Sequence, residues 1–251
     1  MSRIAKLFEL PQLVKATLVA GGLKSISRTL SIPCIGYAVF VLNLALKRLG
    51  LFFGRHDQRA LEYHWVLQQL KSIRMGGRVL DVGCAESLLS QVLIVRGFSV
   101  TGLDFRDYPF KNKHMQFVKR NITNTGLPSK SFDAIFLVST IEHVGLDVYG
   151  QNLLDEGMDI SAVRELVRVL KPGGRLLLTT PFIGGQETRV TRSERQYGLE
   201  RLFKLTAGLL ADSTRYFRLN RTGSRIGWIE VRSPTIPFGD AGLACLSLRK
   251  P

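Results

Sequence analysis

Arg78-Val79-Leu80-Asp81-Val82-Gly83-Cys84-Ala85-Glu86-Ser87 is the stretch that decides the fold of this 251-residue chain. The apolar run 79–82 reads as a strand buried on both faces, as in the centre of a parallel sheet. A glycine turn follows. Leu88, Leu89, Val92 and Val95 then give residues 87–96 a helical face, and Gly97 caps it. Further on, Val100-Thr101-Gly102-Leu103-Asp104 is a second apolar strand closing on an acid. Strand, glycine turn, helix and acid-tipped strand build a nucleoside-binding crevice at the carboxyl edge of a parallel sheet. The first turn brings backbone N–H groups close to the ligand, and Asp104 can accept from both ribose hydroxyls.

The turn narrows the nucleoside. A dinucleotide site needs G-x-G-x-x-G, but Gly83-Cys84-Ala85-Glu86-Ser87-Leu88 lacks the second and third glycines, and Glu86 repels a pyrophosphate. No G-x-x-x-x-G-K-[ST] occurs. A nucleoside carrying an amino-acid tail, with an ammonium to place, tolerates such an acidic turn.

With Val79-Leu80-Asp81-Val82-Gly83-Cys84, Thr101-Gly102-Leu103-Asp104 and Phe132-Asp133-Ala134-Ile135, the chain resembles the class I S-adenosylmethionine-dependent methyltransferases, in the type-11-like branch. Ile141-Glu142-His143-Val144 and Val169-Leu170-Lys171-Pro172-Gly173-Gly174-Arg175-Leu176-Leu177-Leu178 continue the likeness, which covers residues 76–186. Ala85 stands where the family usually has a second glycine. Ser139-Thr140-Ile141-Glu142-His143-Val144-Gly145-Leu146 is similar to a bacterial subgroup associated with surface-polysaccharide and lipid-linked glycan modification.

The rest of the pattern agrees with a Rossmann-like, doubly wound α/β fold with helices on both faces of a mostly parallel sheet. A helix is expected over 56–74, strands over 98–103, 115–119, 132–138 and 175–180, and a helix over 161–170 stopped by Pro172 and Gly173. Residues 193–207 read as a helix, and 215–219 and 243–248 as strands. The resemblance implies that these two finish a seven-stranded sheet as an antiparallel hairpin. Residues 56–251 thus form the methyltransferase domain, behind an N-terminal helical extension over 1–55.

The resemblance implies S-adenosylmethionine as cofactor. It assigns Asp81 to the turn and the cofactor's ammonium, and Gly83, Cys84 and Ala85 to backbone contacts. Cys84 is read as a packing residue rather than a nucleophile. Asp104, with Phe105 beside it, takes the ribose. Asn121 and Ile122 fall where the family touches adenine, Asn121 accepting through its amide oxygen. Ser139, Thr140, Glu142 and His143 follow the fourth strand, beside the expected methyl-transfer point. A hydroxyl acceptor must lose its proton there, so His143, with Glu142, is the candidate base or acceptor-positioning group. Loop ordering is the competing reading of this pair. An acidic insertion over 146–159, with Asp147, Tyr149, Asp155, Glu156 and Asp159, is read as a lid or a solvated loop. Arg189, Arg192, Arg195 and Tyr197 either grip an acidic glycan or lipid phosphate or line a solvated face.

Three scattered cysteines and four histidines show no metal-ligand or disulfide spacing, which favours a reducing cytosol and no metal. The net charge of +15 is uneven: +8 over 1–75, +1 over 76–186 and +6 over 187–251. Basic flanks around a neutral core suit an anionic partner such as a membrane surface. Residues 29–46 carry no charge and reach the lower limit for a spanning helix, but Pro33, Gly36 and Asn43 interrupt them. A cap helix, an interfacial anchor and a single span all remain open for this segment. The expected setting is cytoplasmic, with the inner membrane face as the anionic partner. The expected activity is methyl transfer to a small-molecule or glycan- or lipid-linked acceptor. RNA methylation is an alternative encouraged by charge, although no Asn-Pro-Pro-Tyr type motif or RNA module is visible. A non-catalytic scaffold is the other.

Overall fold

The computed structural model describes residues 58–109, 112–148, 155–222, 225–234 and 242–251. The N-terminal extension and its uncharged segment 29–46 lie outside the described residues, as does Tyr149. Helix α1 (Gln58–Gln69) leads into β1 (Arg78–Val82), α2 (Leu89–Val95), β2 (Ser99–Asp104), β3 (Met115–Lys119) and β4 (Phe132–Val138). Then come α3 (Met158–Val169), β5 (Leu170–Phe182), the short strands β6 (Arg189–Val190) and β7 (Arg195–Gln196), and α4 (Leu199–Leu205). Strands β8 (Leu210–Thr222), β9 (Arg225–Val231) and β10 (Gly242–Arg249) close the chain.

One sheet runs in the order β3-β2-β1-β4-β5-β10-β8-β9. Strands β1 to β5 are mutually parallel, β10 is antiparallel to β5 and β8, and β9 is antiparallel to β8. The order reverses at β1, with β2 on one side and β4 on the other. This is the switch point where a crevice opens at the strand ends. The sheet has eight strands where seven were expected. β8 and β10 do pair antiparallel, but not as a hairpin: the chain between them makes one more pass, and β9 adds to the outer edge of β8.

Alternation along the strands feeds two cores, because successive side chains leave opposite faces. Leu80, Val82, Ile135, Leu137, Leu176 and Leu178 pack under α3 and α4 through Ala162, Val163, Leu166, Leu202 and Leu205. Val79, Ala134, Phe136, Val138 and Leu177 pack against Tyr63, Trp65 and Val66 of α1 and Leu89 and Leu93 of α2. With helices on both faces, β1 and β4 are buried almost throughout, which is why they read as continuous apolar runs.

Two boundaries differ from the sequence reading. α3 ends at Val169, and Leu170 already pairs with Phe132. A register shift before Ala134 absorbs the Lys171-Pro172-Gly173-Gly174 bend, so β5 is one long strand rather than 175–180 alone. Residues 193–207 are not one helix. Arg195 pairs with Val190, and Tyr197 is held to the end of β5 by its N–H donating to the Pro181 carbonyl (2.9 Å) and its carbonyl accepting from Ile183 N–H (3.0 Å). Helix starts only at Leu199.

Candidate active site

The carboxyl ends of β1, β2 and β4 open into a cleft whose walls include Val82, Gly83, Leu103, Asp104, Ser139 and Thr140. Gly83 makes the turn possible. Its φ is +76°, in the left-handed region, and a Cβ there would press into Thr140. Gly83 N–H donates to the Leu103 carbonyl at 2.8 Å, tying the turn to β2.

Asp104 ends β2 with its side chain buried. Oδ2 accepts from Ala85 N–H and Oδ1 from Arg106 N–H, both at 2.9 Å. The Arg106 guanidinium lies over the same oxygens with longer contacts, 3.3 Å from Nε to Oδ1 and 3.5 Å from Nη2 to Oδ2. Its Nη1 pairs with Glu86 at 2.7 Å. The two backbone bonds orient the carboxylate, and a ribose diol would replace the two long guanidinium contacts.

Of the residues assigned to the cofactor from sequence, Gly83, Asp104, Phe105, Asn121, Ile122 and Ser139 line the cleft. Asp81, Cys84 and Ala85 stand behind its wall. Asp81 is buried and accepts from Ser90 Oγ at 2.6 Å. Burial pushes its pKa up to about 7, against the lowering effect of the Ser90 bonds. Burial also pushes the Cys84 thiol far up, which makes it a packing residue. The Asn121 amide oxygen accepts from Thr123 N–H (3.0 Å) and Thr123 Oγ1 (2.9 Å) in an Asx turn. Its NH2 group, rather than the oxygen expected from sequence, is what it can offer a base.

The other end of the cleft centres on β4 and its exit. Ser139 holds φ +43°, an uncommon setting for a side-chain-bearing residue. Its N–H donates to the Thr179 carbonyl and Oγ1, both at 3.1 Å, and its Oγ donates to Glu62. Thr140 Oγ1 contacts the carbonyls of Val82 (3.2 Å) and Val138 (3.1 Å), bridging the β1 and β4 ends. Arg59 and Glu62 of α1 were not foreseen. Glu62 is fully buried and accepts from Thr179 Oγ1 at 2.9 Å, while Arg59 lines the cleft, donates to the Val138 carbonyl (3.1 Å) and pairs with Glu62 (3.5 Å). The readable signal was an acid on the apolar side of an amphipathic helix, since a buried carboxylate requires partners.

His143 lines the cleft, whereas Glu142 does not. His143 Nδ1 lies 2.7 Å from the Ser193 carbonyl. A carbonyl only accepts, so Nδ1 carries the proton and the neutral ring presents a lone pair at Nε2. Burial lowers the His143 pKa. Glu142 is buried, its Oε1 is 4.0 Å from His143 Nε2, and its Oε2 has no hydrogen-bond partner among the described residues. Burial pushes its pKa up to about 8, which keeps it a neutral acid at pH 7.

Several readings of the flanking residues are corrected. Arg195 and Tyr197 are almost wholly buried and cannot grip an outside anion. Tyr197 Oη donates to Asp159 at 2.9 Å, Arg195 lies 3.6 Å from the same carboxylate, and Arg201 closes on it at 2.7 Å. The acidic insertion therefore supplies a structural hub through Asp159. Asp155 caps the following turn by accepting from Gly157 N–H. Arg189 bonds Gln196, and Arg192 is exposed. Among the described residues, no group of three or more His, Cys, Asp or Glu side chains is placed to hold a metal ion.

Residues 80–178 match the family model described as "Methyltransferase domain". That stretch is a methyltransferase domain of the S-adenosylmethionine-dependent kind. This methyltransferase is 26% identical over 194 residues to a ubiquinone biosynthesis O-methyltransferase of Pseudomonas putida (strain W619), covering 70% of this chain and 74% of the relative. A protein of the same description from Dechloromonas aromatica (strain RCB) is 30% identical over 135 residues, covering 50% and 52%. Among solved structures, the [4+2]-cyclase SpnF shares the fold at a TM-score of 0.54 and 20% identity, covering 77% of this chain and 83% of that one. The 1,6-didemethyltoxoflavin-N1-methyltransferase of Burkholderia thailandensis, solved with its substrate and S-adenosylhomocysteine, shares it at 0.51 and 15%, covering 88% and 92%. S-adenosylmethionine is the cofactor, and the cleft suits it. Asp104 provides a buried, oriented carboxylate for a diol, Leu103, Phe105 and Ile122 provide apolar surface for a base, and Arg59 provides a cation for a carboxylate.

Proposed function

We propose that this methyltransferase transfers the methyl group to a hydroxyl of a small, largely apolar acceptor, and that His143 takes the hydroxyl proton. The hydrogen bond from His143 Nδ1 to the Ser193 carbonyl carries the reading, because it leaves Nε2 as the acceptor in the neutral ring. Val144, Gly145 and Met158 line the cleft beside it, suited to an apolar body carrying the hydroxyl. The relatives described as O-methyltransferases support an oxygen acceptor.

S-adenosylmethionine, when bound, supplies an electrophilic methyl group on a sulfonium. The chain does the rest. Asp104 and the Gly83 turn bind the nucleoside, and Arg59 holds the amino-acid carboxylate at the opposite end. Asp81 sets the turn from behind, and its proximity to the ammonium acts through that wall. Ser139 and Thr140 fix the β4 exit, so that the acceptor and the methyl group meet in line. The charge of +8 over residues 1–75 and the uncharged run 29–46 support an acceptor met at an anionic membrane surface on the cytoplasmic side, including a lipid-linked one.

Calorimetry with S-adenosylhomocysteine tests the cofactor half. In Asp104→Asn a single oxygen must serve two backbone N–H groups, so affinity is expected to fall about 100-fold, for two charge-assisted bonds lost or weakened. Unchanged affinity would refute the assignment. S-adenosylhomocysteine release against a panel of hydroxylated aromatic acceptors tests the other half. His143→Ala should lose roughly 100-fold or more in kcat, with S-adenosylhomocysteine affinity intact. Full turnover without the imidazole would exclude a base role.

A further inference from the structure

Of the β6–β7 hairpin, residues from 193 onward were expected to be helical, with the arginines of 189–195 either gripping an anion or lining a solvated face. The hairpin's turn instead touches the cleft through one backbone carbonyl, that of Ser193, which accepts from His143 Nδ1 at 2.7 Å. That carbonyl belongs to the peptide unit whose N–H is that of Glu194. In a trans peptide the two groups point in opposite directions. Glu194 N–H donates to Thr191 Oγ1 at 3.1 Å, and Ser193 N–H reaches the same oxygen at 3.3 Å. Thr191 Oγ1 in turn donates to the Glu194 carbonyl at 3.0 Å, beside the backbone bond from Thr191 N–H at 2.9 Å. One hydroxyl therefore clamps the Ser193–Glu194 peptide from the side facing away from His143. The hairpin as a whole is pinned to the same loop, since the buried Arg195 donates to the Val144 carbonyl at 3.0 Å and lies against Asp159.

We propose that Thr191 is a positioning residue for His143: by orienting the Ser193–Glu194 peptide it holds the imidazole in the Nδ1–H tautomer with Nε2 facing the cleft. The proposal rests on the reading of His143 as the proton acceptor. The chain of contacts runs Thr191 Oγ1, peptide N–H, peptide C=O, imidazole Nδ1–H, imidazole Nε2. The charged and titratable groups around the imidazole are Glu142 on its own turn, Glu194 on the hairpin, Arg59 on α1 and Glu86 on the β1 turn. None of them is a substitute for the carbonyl at Nδ1. Without the hydroxyl, the Ser193–Glu194 segment loses both N–H bonds to Thr191 Oγ1, and the backbone bond from Thr191 N–H to the Glu194 carbonyl holds the turn less directly.

The test uses the full chain labelled with 15N and long-range proton–nitrogen correlation of the imidazole rings. His143→Gln assigns the His143 signals among the four histidines. In the wild type, above its titration, His143 should be the Nδ1–H tautomer. In Thr191→Val the ratio of Nδ1–H to Nε2–H should fall about three- to tenfold, the loss of a hydrogen bond of ordinary net strength. The titration midpoint should move down, because the carbonyl also stabilises the charged ring. Thr191→Ser keeps the hydroxyl and should restore both readings. S-adenosylhomocysteine affinity should be unchanged in both variants, which separates this effect from misfolding. Wild-type tautomer and titration in Thr191→Val would overturn the proposal, and so would equal effects of Val and Ser. If the tautomer shifts but methyl transfer to a hydroxyl acceptor does not change, the positioning role stands and the base role of His143 fails.

Discussion

Glu142→Gln is expected to change the pH dependence of stability more than stability itself. The Glu142 carboxyl is buried, with one oxygen lacking a hydrogen-bond partner among the described residues, and its pKa is pushed from the usual 4.5 to about 8. Below pH 4.5 the group is protonated in both folded and unfolded chains and costs nothing. As pH rises from 4.5 to 8, the unfolded chain ionises while the folded one stays neutral, so the folded state loses stability. At about 1.4 kcal/mol per pH unit, a gap of about 3.5 units amounts to roughly 5 kcal/mol. Glutamine is neutral at every pH and nearly the same shape. Against wild type, Glu142→Gln should gain under 1 kcal/mol at pH 5 from this effect and roughly 4 kcal/mol at pH 8. At about 2–4 °C per kcal/mol for a chain of this size, the melting temperature at pH 8 should rise by roughly 10 °C. Asp81 titrates in the same direction, from 3.8 to about 7, but it is common to both proteins and cancels in the comparison. Thermal unfolding of both proteins at half-unit steps from pH 5 to 8 makes the measurement. A constant difference across that range would mean that Glu142 is ionised in the folded state. The reading of Glu142 as a neutral acid, and not the carboxylate partner of His143, would then be wrong.

Three further outcomes follow from the same contacts. Gly83→Ala places a methyl against Thr140 at φ +76°, so S-adenosylhomocysteine binding should be lost and the fold destabilised by about 2–4 kcal/mol, read by calorimetry and urea unfolding. Arg106→Ala removes the guanidinium that lies over both Asp104 oxygens but leaves the backbone bond, so S-adenosylhomocysteine should bind at least as tightly; a tenfold loss would make Arg106 a ligand rather than a cover. Tyr197→Phe leaves Asp159 paired with Arg201 and Arg195 but removes the buried hydroxyl bond, and should cost about 1–2 kcal/mol in urea unfolding without altering cofactor affinity.

Much of the sheet was legible because its strands carry their own signatures. Apart from Asp81 and Asp133, the runs at 79–82 and 132–138 put apolar residues on both faces, as a strand covered by helices on both sides requires. Gly83 and Asp104 were legible for a related reason. A left-handed turn needs glycine, and an acid ending an apolar strand has to meet either a ligand or the neighbouring turn; here it already meets the Ala85 N–H. Asn121 shows the limit of such a reading. It lines the cleft, but its amide oxygen is taken up by a turn closed by Thr123, which no reading of the position alone foresees.

The sequence by itself determined the parallel core, its switch point and the nucleoside end of the cleft, because period, glycine turns and terminal acids act within a few residues of one another. Tertiary structure alone decided the side-chain partners at the β4 exit. Glu62 and Arg59 reach Ser139 and Val138 across about eighty residues of chain, and Ser193 reaches His143 across fifty. Arg195 and Tyr197, polar and plausible as surface groups, are buried because Asp159 on α3 meets them there. Local patterning specifies which face of an element is apolar. Which buried polar group will satisfy which other is settled only when the elements pack, because no local rule fixes a partner that lies so far along the chain.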